Sequence, residues 1–154
     1  MLNNCNPEIQ EQLNKILGLR VYLVRTDEAK AISFALGGLS AKLLKSHRRG
    51  KALVSGEFSI ISYSIGWRIS QGKNYIIGSM DDIDSQLLDS LPSKLECLEA
   101  IGSINNNDIE LRFKNNYRLE ILQIENDYSE MIHCFLPNRK VICPDEAGNW
   151  TMQN

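Results

Sequence analysis

The first part of the chain carries its apolar residues at the spacing of a helix. Four of them recur every three or four positions and would share one face: Ile9, Leu13, Ile16 and Leu17. Asn6 is a suitable N-cap, and Pro7 fits the first helical position, where its missing N–H leaves no hydrogen bond unmade. Gly18 suits the end of the helix. The pattern therefore predicts a short amphipathic helix between Pro7 and Gly18.

From residue 19 onward the apolar spacing changes to two, which predicts strands. The predicted strands cover residues 19–23, 30–36, 58–63, 67–69, 74–79, 98–104, 108–113, 117–122, 130–136 and 140–142. Residues 39–45 have helical propensity but are short for a helix, so their structure stays open. A second helix is predicted over 84–91, ending before Pro92 because a proline disfavours helical geometry in the preceding residue. The expected fold class is α+β: a mostly antiparallel, meandering β-sheet with an N-terminal helix and one inserted helix covering a face. We expect a single domain over residues 1–154.

The register of one hairpin follows from its apolar faces. Three apolar residues share a face of each strand: Ile109, Leu111 and Phe113 on the first, and Tyr117, Leu119 and Ile121 on the second. These faces coincide only if the loop has an odd number of residues. The sequence therefore predicts a three-residue loop over residues 114–116, with Asn116 in the left-handed conformation.

Composition narrows the protein's class. With 154 residues and 43% hydrophobic residues, the chain can bury a core. The net charge of -2 argues against a dedicated nucleic-acid binder. The N-terminal stretch lacks the features of a secretory signal, and no apolar run suits a membrane span, so we expect a cytoplasmic protein. The four cysteines are scattered and are expected to be buried apolar residues.

No catalytic constellation is visible in the sequence. His133 and Cys134 are adjacent on a predicted strand and so point to opposite faces, which prevents them from binding one metal ion together. His47 lies beside Arg48 and Arg49, whose charges would repel a metal. No nucleophile elbow, P-loop or dinucleotide fingerprint is present. We therefore expect a protein that is not an enzyme and that uses no metal and no cofactor.

Three short charged groups are the candidate binding sites. The first is acidic and precedes the second helix, where its members could meet a basic partner, and where a helix-capping role is favoured over a cation site: Asp81, Asp82 and Asp84. The second surrounds a tyrosine: Glu125, Asp127, Tyr128 and Glu130. The third is the basic stretch SHRRGK over residues 46–51, which has no interleaved aromatic residues and is interpreted as a solvated turn.

Three blocks of the chain resemble a group of small bacterial α+β proteins. The blocks are KILGLRVYLVRTDEAKAISFALG, RRGKALVSGEFSIISYSIGWRISQGKNYIIGSMDD and DIELRFKNNYRLEILQ, and the resemblance spans most of residues 16–136. It rests on structural residues and departs at Asn116, where the group prefers glycine, and at His133, where it often has tryptophan. Proteins of this group are associated with polymorphic toxin loci and include immunity proteins of contact-dependent growth inhibition.

The resemblance implies an immunity protein that binds and neutralises one cognate toxin domain in a 1:1 complex. A nuclease toxin would be basic, so carboxylates could imitate the phosphates that it binds. The expected interface consists of the two acidic groups, with Tyr128 as an aromatic anchor. Two alternatives stay open: a small-ligand binding domain without catalytic activity, and a nucleic-acid module that uses SHRRGK.

Overall fold

The structure, a computed structural model, describes residues 5–39, 56–104, 108–124 and 127–154. Within these ranges the chain forms two helices and eleven strands. The helices are α1 (Pro7–Asn14) and α2 (Ser85–Leu95). The strands are β1 (Val21–Thr26), β2 (Ile32–Leu39), β3 (Gly56–Ser62), β4 (Trp67–Gln71), β5 (Asn74–Gly78), β6 (Leu98–Ile104), β7 (Asp108–Phe113), β8 (Tyr117–Ile121), β9 (His133–Phe135), β10 (Val141–Pro144) and β11 (Trp150–Gln153). Of the segment 39–45, positions 40–45 lie outside the described residues, and so does SHRRGK.

The strands form two antiparallel sheets, which confirms the predicted α+β class. One sheet has the order β1-β2-β3-β9-β10-β11, and the other has the order β5-β4-β8-β7-β6. Their buried residues belong to one apolar cluster, and the rings of Phe34 in β2 and Phe113 in β7 lie 5.5 Å apart. Backbone hydrogen bonds from Gly18 N to Leu98 O (2.7 Å) and from Leu98 N to Leu19 O (3.1 Å) join the two sheets where β1 and β6 begin.

The first helix forms as its caps predict. The Asn6 side chain accepts a hydrogen bond from Ile9 N at 2.9 Å, and Pro7 occupies the first turn. Ile9 and Leu13 are buried against the sheets. The helix ends at Asn14, before the predicted stop, and Gly18 has a φ of +86° that suits glycine.

The predicted end of the second helix is wrong, because α2 continues through Pro92 to Leu95. A proline inside a helix costs about 3 kcal/mol. Continuing the helix buries Leu95 completely, and burying a leucine stabilises by about 1.5–3 kcal/mol. The Pro92 carbonyl also accepts a hydrogen bond from Glu96 N at 3.0 Å. With about 0.5–1.5 kcal/mol for this hydrogen bond, the two contributions together are of about the same size as the cost, so the helix continues through Pro92.

The predicted hairpin register is confirmed. Leu111 pairs with Leu119 and Arg112 with Arg118, which leaves residues 114–116 as the loop. Asn116 has a φ of 65°. The preceding Asn115 is also left-handed, with a φ of 60°, which the sequence pattern did not indicate.

Two strand predictions near the C-terminus need correction. The strand predicted over 130–136 is shortened to β9, because residues 128–130 form a 3-10 turn that the Asp127 side chain caps through Ser129 N. Strand β11 was not predicted, since it is short and Trp150 is its only fully buried residue. It pairs with β10 at the edge of the six-stranded sheet.

Candidate functional site

A connector of four residues, 63–66, joins the two sheets between β3 and β4. Tyr63 N donates to Glu130 O at 3.1 Å, and Ser64 Oγ donates to Leu122 O at 3.1 Å. The Ser79 hydroxyl, in the turn after β5, donates to Ile65 O. The connector therefore holds the turn after β5, the segment after β8 and the turn before β9 side by side.

A cavity of about 120 Å³ opens between these segments. Its lining combines apolar, hydroxyl and carboxylate side chains: Tyr63, Ser64, Ile65, Ile124, Asp127, Glu130 and Met131. Met131 is buried, whereas Tyr63, Ile65 and Ile124 are 41%, 52% and 55% exposed. Single exposed apolar residues are normal on a protein surface, so the grouping of three around one cavity makes this cavity the candidate binding site. We call this cavity and its lining residues the connector cavity.

Two of these exposed side chains pack on neighbouring residues. The Ile124 side chain packs directly on the backbone of Gly66, where any side chain would collide with it. The edge of the His133 ring contacts the Tyr63 ring, with centroids 5.0 Å apart, and His133 Nε2 lies 2.7 Å from Ser129 O. His133 is half-buried between these two contacts. Tyr63 and Ile124 thus line the cavity while packing on residues beside it.

Carboxylates give the cavity a negative potential. The Asp127 carboxylate accepts hydrogen bonds from the Ser129 hydroxyl at 2.7 Å and from Ser129 N at 2.8 Å, which hold the pKa of Asp127 below its usual value. Burial raises the pKa of the Tyr63 hydroxyl, and the nearby carboxylates of Glu130 and Asp27 raise it further. A cation entering the cavity would therefore meet a favourable field.

The first acidic group lies next to the connector but is engaged in local structure. Asp81 accepts hydrogen bonds from the Tyr75 hydroxyl and, at 2.8 Å, from Gly78 N, and these bonds lower its pKa. Asp84 caps α2 by accepting from Gln86 N at 2.9 Å, which is the capping role that the sequence predicted. Asp82 is exposed. Ser79, two residues before Asp81, contacts the connector, so the segment that carries this group adjoins the connector.

The second acidic group is divided by the fold. Asp127 and Glu130 line the connector cavity, as described above. Tyr128 is half-buried, packs against the core and lies beside Gly148, so its ring is less exposed than that of Tyr63. Glu125 lies outside the described residues. The sequence pattern did not identify the exposed Tyr63, Ile65 and Ile124 as site residues; its only signal was the break in alternation at Gly66.

A second charged surface covers the outer face of the five-stranded sheet. The nearly buried Glu120 carboxylate accepts two hydrogen bonds from Arg68, at 2.7 and 3.2 Å, and lies 3.0 Å from Arg118 Nε. Glu110 pairs with Arg112 on the same face. On this face the carboxylates pair with arginines of the same sheet, which distinguishes it from the connector cavity.

Comparisons with protein-family models, curated proteins and solved structures gave no match to this chain. The resemblance to immunity proteins therefore stays a prediction. Across the described ranges, no group of three or more histidine, cysteine, aspartate or glutamate residues is placed to hold a metal ion. No helix in the described part of the chain has the length and apolar character needed to cross a bilayer.

Proposed function

We propose that this protein is an immunity protein that binds one cognate toxin domain in a 1:1 complex and neutralises it. The toxin is a basic nuclease of a contact-dependent growth inhibition system or of a related polymorphic toxin system. The observation that carries the proposal is the connector cavity, where exposed Tyr63, Ile65 and Ile124 adjoin the carboxylates of Asp127 and Glu130.

This combination matches the anatomy of protein interfaces. Their centres are enriched in aromatic and apolar side chains, and their rims are polar. A nuclease needs a positive surface to bind phosphates, so a carboxylate rim supplies both electrostatic attraction and rapid association. Asp81 and Asp82 closely follow Ser79, whose hydroxyl contacts the connector, and would add negative charge to that region.

The size of the cavity favours a protein partner over a small metabolite. Pockets for small ligands usually enclose about 300–1,000 Å³, whereas the connector cavity encloses about 120 Å³. In the proposed role the protein performs no catalysis and acts in the cytoplasm, where a nuclease toxin would meet its substrate.

The test is neutralisation of a toxin by this chain. The proteins encoded beside its gene in the native host are expressed singly in a test strain, with and without this chain. We expect one of them to stop growth alone, to permit growth with this chain, and to form a 1:1 complex in size-exclusion chromatography with light scattering. If none is toxic, or if growth stops equally with this chain present, the proposal is wrong.

A further inference from the structure

The connector cavity has the shape and chemistry to hold one amphipathic side chain. We propose that it is a seat for a single basic side chain, lysine or arginine, that projects from a protein partner. The identity of that partner as a toxin rests on the proposed function, but the seat itself does not.

The volume of the cavity limits the occupant. The cavity encloses about 120 Å³, well below the about 300–1,000 Å³ of pockets that hold a whole small ligand. The lysine side chain beyond Cβ consists of three methylenes and one ammonium group, so it is small enough for this space. A single side chain therefore suits the cavity better than a nucleotide or a helix does, and its backbone stays outside.

The lining matches the two halves of such a side chain. The methylene stem would contact the Tyr63 ring, Ile65 and Ile124, as the stems of basic residues commonly do on apolar surfaces. The charged head would reach the carboxylates of Asp127 and Glu130 or the face of the aromatic ring. A neutral side chain would gain only the apolar contacts, and an acidic one would be repelled.

Capped single amino acids test the seat without any toxin. The protein, labelled with ¹⁵N, is titrated at low salt with N-acetyl-lysine methylamide and with N-acetyl-arginine methylamide. N-acetyl-norleucine methylamide serves as the neutral probe of similar shape. We expect the basic probes to shift the amide signals of Tyr63, Ile65, Ile124 and Met131 saturably, with a dissociation constant on the order of millimolar. The neutral probe should bind at least about threefold more weakly.

A double variant tests the two carboxylates. Asp127→Asn with Glu130→Gln removes both charges, and the amides keep oxygens that can accept hydrogen bonds, including those from Ser129. We expect the affinity for the lysine probe to fall about fivefold, with no change for the norleucine probe. The control is Glu11→Gln with Glu99→Gln, which changes the net charge equally at two exposed positions of α1 and β6 and should leave the probe affinity unchanged.

Three results would overturn the seat: equal binding of the lysine and norleucine probes, shifts scattered over the whole surface, or an equal loss in the Glu11/Glu99 control. The spectra of both double variants show directly whether the fold is retained. Specific probe binding without toxin neutralisation would preserve the seat and refute the immunity function. Neutralisation without probe binding would refute the seat alone.

Discussion

Asp81 shows how a surface carboxylate contributes to the local fold. Its side chain accepts hydrogen bonds from the Tyr75 hydroxyl and from Gly78 N, and so closes the turn after β5. The Lys30 ammonium group lies 3.4 Å from the Asp81 carbonyl and links this turn to the one between β1 and β2. The carboxylate therefore stabilises one of the turns that surround the connector.

Replacing Asp81 should make stability depend less on pH. Hydrogen bonds lower the folded-state pKa of Asp81 below the ordinary aspartate value of about 3.9. Its contribution to stability is therefore fully present above about pH 4 and is lost as the pH falls through the folded-state pKa. We expect Asp81→Asn to unfold at lower urea concentration than the wild type at pH 6, and the difference to shrink at pH 3.

The control for this measurement is Asp82→Asn, at the neighbouring exposed position, which should leave the unfolding midpoint unchanged at both values of pH. An Asp81→Asn effect of equal size at pH 6 and pH 3 would show that the carboxylate charge does not support the turn.

Single residues also show where sequence reasoning succeeds and where it stops. The capping roles of Asn6 and Asp84 depend on neighbours within three positions, so the sequence predicts them. The left-handed Asn115 was missed because its side chain donates to Lys94 O at 3.2 Å and to Glu96 Oε2 at 2.9 Å. Those partners are about twenty positions away and meet the hairpin only in the folded chain.

At the scale of elements, Trp67 links β4 to the turn between β1 and β2 and therefore links the two sheets. Its indole ring is buried, and its Nε1 donates to Lys30 O at 2.7 Å. The neighbouring Ile69 pairs with Leu119 in the sheet and is also buried. Trp67 thus combines apolar packing with a hydrogen bond that crosses between the sheets.

Trp67→Phe should lower the free energy of unfolding by about 2–4 kcal/mol, because it leaves a void and an unpaired carbonyl. Trp150→Phe is the matched control, because it makes the same change at another buried tryptophan. The described residues provide no hydrogen-bond partner for the Trp150 indole. Urea unfolding should show a loss about 1–2 kcal/mol larger for Trp67→Phe than for the control. Equal losses would mean that the hydrogen bond to Lys30 adds nothing.

The elements themselves are predictable to different degrees. Alternating apolar residues identify most strands, because each strand has one buried face. Alternation does not tell which strands share a sheet, so the division between β3 and β4 was not foreseen. The extension of α2 through Pro92 depends on the burial of Leu95 against other elements, and no local pattern contains that information.

At the scale of the whole molecule, the fold brings together groups that are far apart in sequence. The turn containing Asp81 and the turn containing Asp127 flank the same connector, although 46 positions separate the two residues (127 minus 81). The sequence identified both acidic groups as candidates. It could not identify Tyr63, Ile65 and Ile124, because a strand-like pattern does not distinguish exposed apolar residues from core residues.

The central claim is that the cognate partner binds at the connector cavity. It is tested most directly by the affinity of the toxin domain for Tyr63→Ala and for Tyr22→Ala, measured by calorimetry. Tyr22, in β1, is a matched control because it is a tyrosine of similar exposure, 38% against 41% for Tyr63. We predict that Tyr63→Ala weakens binding about 30-fold or more, as for an interface hot spot, and that Tyr22→Ala changes it by less than about twofold. Equal effects, or a larger loss for Tyr22→Ala, would contradict this account.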